Sequence, residues 1–172
     1  MLIDELKNIA RNNGIVGAGG AGFPAYAKMT EKADTVILNC VECEPLLKLH
    51  RQLLATHTEE IIQMLDEVRE SFGAKEAVIG IKSEYVTTIK AIEEVIGDFP
   101  NVRICALKAA YPMGDEVVLI YEATGRVIKP GGLPIDENVV VYNVETMYNL
   151  YRAVHLNIPV TNKLVSIVGE ID

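Results

Sequence analysis

The chain is expected to fold as an α/β domain: a Rossmann-like, mostly parallel sheet with helices on both faces and a glycine-rich nucleotide loop near the N-terminus. Three observations point there. Short β-branched and aliphatic runs alternate with stretches of helical period, the pattern left by a parallel sheet and its crossover helices. The runs are apolar throughout rather than alternating, as strands buried on both faces are. Finally, Gly14, Gly17, Gly19, Gly20 and Gly22 crowd into the stretch ending at Pro24. Backbone without Cβ atoms can close on a phosphate there.

The elements follow in order. Leu2, Ile3, Leu6, Ile9 and Ala10 have helical spacing and Asn12-Asn13-Gly14 is a stop, so a helix precedes the glycine loop. Thr35-Val-Ile-Leu38 reads as a buried strand that delivers Asn39, Glu42 and Glu44 to its carboxyl end. Thr56-His-Thr-Glu59 resembles a capping box opening a helix, with Ile61, Ile62, Leu65 and Val68 on one face and Gly73 past its end. Strands are expected over Ala77–Ile81 and Val102–Leu107, separated by a helix from Val86 to Ile96. A helix from Gly114 to Thr124 stops at Gly125, and Lys129–Pro134 is a turn-rich loop. Val139–Tyr142 is a further strand, and Asn143-Val-Glu-Thr146 starts a helix running towards His155. Leu164–Val168 is strand-like. The organisation expected is one domain over 1–162, with 163–172 opening a following β-rich domain that is cut short. Loops after Asn39, Leu107 and Asn143 share one edge of a parallel sheet, so they converge with the glycine loop on one cleft.

Composition narrows the partners. With 172 residues and a formal charge of −8, the chain suits one globular domain and not a nucleic-acid or anionic-membrane surface, which need clustered Lys and Arg. A phosphate would be held by backbone amides and a few lysines. No apolar run reaches the roughly 20 residues of a spanning helix, and the N-terminus reads as an amphipathic helix rather than a signal peptide, so the expected compartment is the cytoplasm. Cys40, Cys43 and Cys105 suit reduced thiols. Cys40-x-x-Cys43 lacks a second ligand pair for zinc, and three cysteines cannot hold a four-cysteine cluster, so no metal is expected; Cys43 and Cys105 read as packing residues. Gly17-x-Gly19-x-x-Gly22 satisfies the dinucleotide pattern, but a helix precedes it and Phe23-Pro24 follows, which argues against the ordinary fingerprint. A tight turn under a packed helix is the plainer alternative.

Further motifs stand beside that loop: Gly17–Pro24 with Lys28, Asn39-x-x-Glu42-Cys-Glu44-Pro45, Tyr111-Pro-x-Gly114-Asp-Glu116, and Asn143-Val-Glu-Thr146. In this order the chain resembles the flavin- and NADH-binding domain of the complex I flavoprotein subunit family. It is most similar to the branch holding the C subunit of the Rnf electron-transport complex and the soluble cobalamin-reductase and proline-reductase-associated proteins. The resemblance implies FMN deep in the cleft with NADH over it. On that basis Gly17, Gly19, Gly20 and Gly22 approach phosphate and ribose, and Lys28 meets the FMN phosphate. Asn39 and Glu42 lie near the flavin ring and ribityl chain. Tyr111, Gly114 and Glu116 border the isoalloxazine and nicotinamide, while Asn143 and Thr146 close the phosphate side. For NADH the resemblance implies Phe23 against the adenine, Glu44 at the adenosine ribose disfavouring NADPH, and Lys129 in the nucleotide loop. That loop carries Leu133 where complex I has an aromatic, and Val41 replaces an acid. Each position also has a plain reading: Lys28 and Lys129 as solvated charges, Glu42 and Glu44 as caps of the next helix, and Asn143 as an N-cap.

The function implied is hydride transfer from NADH to FMN, as the electron-input domain of a larger electron-transfer protein, with no catalytic side chain. Iron–sulfur clusters are expected only in a downstream domain or subunit, at the periphery of a membrane complex or in a soluble reductase. The alternative is a non-catalytic flavin- or nucleotide-binding scaffold module.

Overall fold

A computed structural model describes residues 1–170. Four parallel strands, β1 (Thr35–Cys40), β2 (Glu76–Lys82), β3 (Val102–Leu107) and β4 (Val139–Asn143), form one sheet in the order β3-β2-β1-β4. Around them lie α1 (Ile3–Asn12), α2 (Leu49–Thr56), α3 (Thr58–Phe72), α4 (Val86–Val95), α5 (Glu116–Thr124) and α6 (Val144–Leu156).

Strand alternation divides the core. Val36, Leu38, Cys40, Ala77, Ile79, Ile81, Val140 and Tyr142 point to the larger layer, where they pack with residues of α1, α3 and α6 such as Leu6, Leu65 and Leu150. Ile37, Val78, Val139 and Val141 point the other way, towards Leu119, Ile120 and Ala123 of α5. The asymmetry follows from the direction of travel across the sheet. β1 to β2 to β3 steps outward in one direction, and the return from β3 to β4 crosses back over β1. A right-handed crossover therefore places α5 alone on the opposite face from α2, α3 and α4.

Two sequence expectations change. Thr56 does not open a capping box: it is the last residue of α2, its hydroxyl donating to the Gln52 carbonyl, and His57 occupies the N-cap of α3 with no side-chain cap bond. Leu164–Val168 forms no strand, because these residues have no neighbouring strand to pair with and lie exposed. Instead the preceding residues run back over the domain. The Val160 amide donates to the Asn13 carbonyl, Lys163 pairs with the buried Glu145, and the Leu164 amide donates to the same carboxylate. Residues 171 and 172 of the expected 163–172 segment lie outside the described residues. Among the described residues no helix is long and apolar enough to cross a membrane.

Candidate functional site: a cleft at the carboxyl edge of the sheet

The sheet order reverses between β1 and β4, and in open α/β sheets the crevice beyond such a switch point is where ligands bind. A cleft of about 290 Å³ opens there, lined by Gly17, Gly19, Ala21, Phe23, Ala25, Lys28, Asn39, Glu116, Val141, Tyr142, Asn143 and Thr146. Eight of these are among the sequence-predicted site residues: Gly17, Gly19, Phe23, Lys28, Asn39, Glu116, Asn143 and Thr146.

The glycine loop is fixed at both ends and open in the middle. An antiparallel bridge joins Val16 to Pro24, with the Gly17 amide donating to the Phe23 carbonyl at 2.7 Å. Gly20 and Gly22 have φ of +119° and +62°, which side chains rarely adopt, so these two set the shape of the turn. Among the described residues, the amides of Gly19, Gly20, Ala21 and Gly22 meet no protein acceptor. A Cβ on Gly19 would come within 3.0 Å of Asn143 Nδ2. Unpaired amides in a turn that presses bare backbone against the opposite wall make a cradle for an anion.

The opposite wall is the start of α6. Asn143 caps it, its Oδ1 accepting from the Thr146 amide at 2.8 Å and the Thr146 hydroxyl at 2.7 Å. That hydroxyl in turn accepts from the Ala18 amide at 3.0 Å. One chain of hydrogen bonds thus joins the N-terminal loop to a helix 128 positions away. The short helical turn Ala25–Lys28 is pinned by the buried Tyr142 hydroxyl, which donates to the Ala25 carbonyl. From this turn Lys28 reaches across the cleft, its Nζ 3.3 Å from the Val141 carbonyl and 3.5 Å from Glu116 Oε1. Asp115 caps α5 through the amides of Val117 and Val118, which holds Glu116 at the cleft.

At the third corner, Asn39 is clamped by the neighbouring loops. Its Nδ2 donates to the Gly114 carbonyl at 3.0 Å, and its Oδ1 accepts from the Val41 amide at 2.9 Å. Gly114 is required by close approach: a Cβ there would overlap the Val41 carbonyl oxygen and sit 2.8 Å from Cys43 Sγ. Gly114 thus supports the cleft from beneath.

The remaining predicted positions lie elsewhere. Glu42 is 5% exposed and turns away from the cleft: its Oε1 accepts from the His50 amide at 2.9 Å, at the start of α2. Its charge and burial together push the Cys40 thiol upward, burial being the larger effect. Burial likewise lowers the His50 imidazole, against the opposing pull of Glu42 and Glu145. Glu44 is exposed on the loop, and Tyr111 is 82% exposed and lines neither cleft. Lys129 is exposed in its own turn, where its carbonyl accepts from the Gly132 amide. Beside the first cleft lies a second of about 560 Å³, sharing Phe23, Lys28, Glu116 and Val141 with it and bounded outside by Thr30, Lys32, Leu133 and Ile135. Sequence reading missed Ala18, whose amide makes the cross-cleft bond, and Arg51, the cation beside Glu42. Neither residue type carries a motif signal.

The chain matches the family model described as the Nuo51 FMN-binding domain over residues 10–152. It is 39% identical over 166 residues to the cobalamin reductase PduS of Citrobacter freundii, covering 96% of this chain and 36% of that protein. It is 33% identical over 171 residues to a component of the Na(+)-translocating ferredoxin:NAD(+) oxidoreductase complex of Acetobacterium woodii, covering 97% of this chain and 39% of that component. The chain therefore spans well under half the length of these relatives. Among solved structures it is similar to an NAD+-reducing NiFe hydrogenase in the air-oxidised state, with a TM-score of 0.75 and 25% identity over 89% of this chain and 30% of that one. The H2-reduced form of that enzyme gives a TM-score of 0.73. By the model match across most of its length, and with a cleft whose walls are the residues that carried the resemblance, the chain belongs to the Nuo51 FMN-binding domain family.

Proposed function

We propose that this domain oxidises NADH by hydride transfer to a bound FMN and so serves as the electron-input module of a larger electron-transfer protein. The single observation that carries the reading is the cradle itself: four unpaired amides in the Gly19–Gly22 turn, closed against the Asn143–Thr146 cap, with Lys28 across the opening. Those features suit a ligand with a phosphate at one end and a planar body extending towards Asn39 and Glu116. The bound flavin would supply the two-electron chemistry. The protein's part is then binding, orientation and exclusion of water, which needs no side-chain acid or base.

In this reading Gly17, Gly19 and the amides of Gly20 and Gly22 hold the phosphate with Lys28, releasing that lysine from Glu116. Asn39, fixed by Gly114, presents its amide to the flavin side, with Glu116 and Tyr111 at the ring's edge and Asn143 and Thr146 closing the ribityl side. The second cleft, between Phe23 and Leu133, takes the dinucleotide. Phe23 offers an aromatic face to the adenine and Lys129 stands at the outer loop. Glu44 would disfavour a 2′-phosphate by like-charge repulsion once the dinucleotide brings the ribose to it. Glu42 contributes to the site from behind. Downstream iron–sulfur partners and a place beside a membrane complex or in a soluble reductase belong to the same proposal, supported by the kinds of protein in which similar domains occur.

The test is anaerobic. Protein reconstituted with FMN is titrated with NADH while the flavin absorbance is followed. Bleaching by NADH, and weaker bleaching by NADPH at equal concentration, is the expected result. FMN binding without any bleaching would instead identify a flavin-holding scaffold.

A further inference from the structure

Away from the cleft lies a charged pair, a buried carboxylate and a half-buried arginine, that the proposed reaction does not use. Glu42 Oε2 is buried and has no hydrogen-bond partner among the described residues, and Arg51 Nε stands 3.7 Å from it. The Arg51 guanidinium lies 4.5 Å over the buried ring of Tyr85, and its backbone carbonyl accepts from Thr88 of α4 at 3.0 Å. The arginine is therefore held by α4 and its N-cap Tyr85, and its charge faces a carboxylate oxygen that no hydrogen-bond donor satisfies.

Glu42 sits between two loop residues that pack on Gly114, one of which also bonds the cleft residue Asn39. Val41 presses its carbonyl on Gly114 and gives its amide to Asn39, while Cys43 packs its sulfur on Gly114. Gly114 in turn accepts the Asn39 amide. The 41–43 loop cannot shift without moving Asn39 and the Tyr111–Glu116 segment with it.

We propose that Arg51 and Glu42 act as a pair of positioning residues: the buried Glu42 carboxylate, held by the His50 amide and neutralised by Arg51, locks the 41–43 loop against Gly114 and thereby presets the Asn39 side of the cofactor cleft. The physical logic is that a lone buried carboxylate is far more costly than a neutralised one or an amide. Loss of Arg51 should drive Glu42 towards solvent and pull the loop with it. Loss of both charges together should leave the loop in place. The role at the cleft rests on the FMN reading; the coupling of the loop to Arg51 does not.

The test is a double-mutant cycle with two readouts. In FMN titrations, Arg51→Met should raise the dissociation constant by roughly tenfold or more. Arg51→Lys should lie between that variant and wild type, and the double variant Arg51→Met with Glu42→Gln should return to within about threefold of wild type. In the FMN-free proteins, amide hydrogen exchange over residues 41–44 and 110–115 should quicken in Arg51→Met and recover in the double variant. Unchanged exchange in those loops, or a double variant no better than Arg51→Met by either readout, would assign Arg51 to helix packing on Tyr85 alone and overturn the proposal. If wild type binds no FMN, the functional reading fails while the exchange data still decide the pair.

Discussion

Two side chains decide whether the cleft holds its shape. Thr146 is buried and bonded on both sides, accepting from Ala18 and donating to Asn143. Thr146→Val keeps the shape but strands the Ala18 amide and takes from the Asn143 oxygen one of its two donors, leaving it the Thr146 amide, so it should cost about 1–3 kcal/mol in urea unfolding and weaken FMN binding. An unchanged urea midpoint would show that water replaces both bonds at no cost. Gly114 makes the opposite demand, for absence of bulk. Its forbidden neighbour is backbone, which cannot rotate away. Gly114→Ala should therefore destabilise the fold by about 1–3 kcal/mol and displace the 41–43 loop, seen as lost FMN affinity. Both residues were legible in the sequence as members of short motifs. Their physical jobs were not, because a motif records identity, whereas a hydrogen-bond relay or a close backbone approach belongs to tertiary packing. Glu42 carries the same lesson: the resemblance implied a flavin contact and the plain reading a cap of the next helix, and the structure turns its carboxylate to the start of α2.

The elements differ in how openly the sequence announced them. Strands β1, β2 and β4 were plain because each is a short, mostly apolar run buried on both faces, and β3 was legible from its apolar residues although it lies at the sheet edge with Arg103 and Ala106 exposed. α2 was missed. It has eight residues and no cap bond from its own N-cap residue, and its first-turn acceptor arrives from Glu42, outside the helix. Leu164–Val168 misled in the other direction, since apolar and β-branched residues make a strand only where a neighbour offers unpaired backbone. One element contact is open to titration. Arg126 binds both oxygens of Asp34 and also the Glu137 carbonyl, tying the segment after α5 to the start of β1. Burial alone would raise the Asp34 carboxyl, but the bonds from Arg126 and Thr35 outweigh it and hold it below its ordinary 3.8. A carboxyl lowered on folding adds stability above its unfolded value and loses it as pH falls through the folded one. Urea midpoints should therefore drop as the pH is lowered through the carboxylate range, and Asp34→Asn should make that drop shallower. A slope identical to wild type would leave the Asp34 bonds with no share in acid stability.

At the scale of the molecule, the fold class was legible from alternating strands and helices, and the unequal layers were not. They follow from the order in which the strands are laid, which no local pattern states. That order also creates the site: because β4 returns to the far side of β1, the ends of both strands and the start of α6 meet the N-terminal loop across one crevice. If this crevice grips FMN by the bare backbone of the glycine loop, the loop's own amides must report it. The most direct measurement is an amide NMR titration of the 15N-labelled chain with FMN. Saturating shifts are expected to be confined to Gly17–Phe23, Asn39, Gly114–Glu116 and Asn143–Thr146, the Gly19–Gly22 amides moving furthest. Saturable binding that leaves the glycine loop unmoved, or shifts centred on the α2 and α4 side, would contradict it.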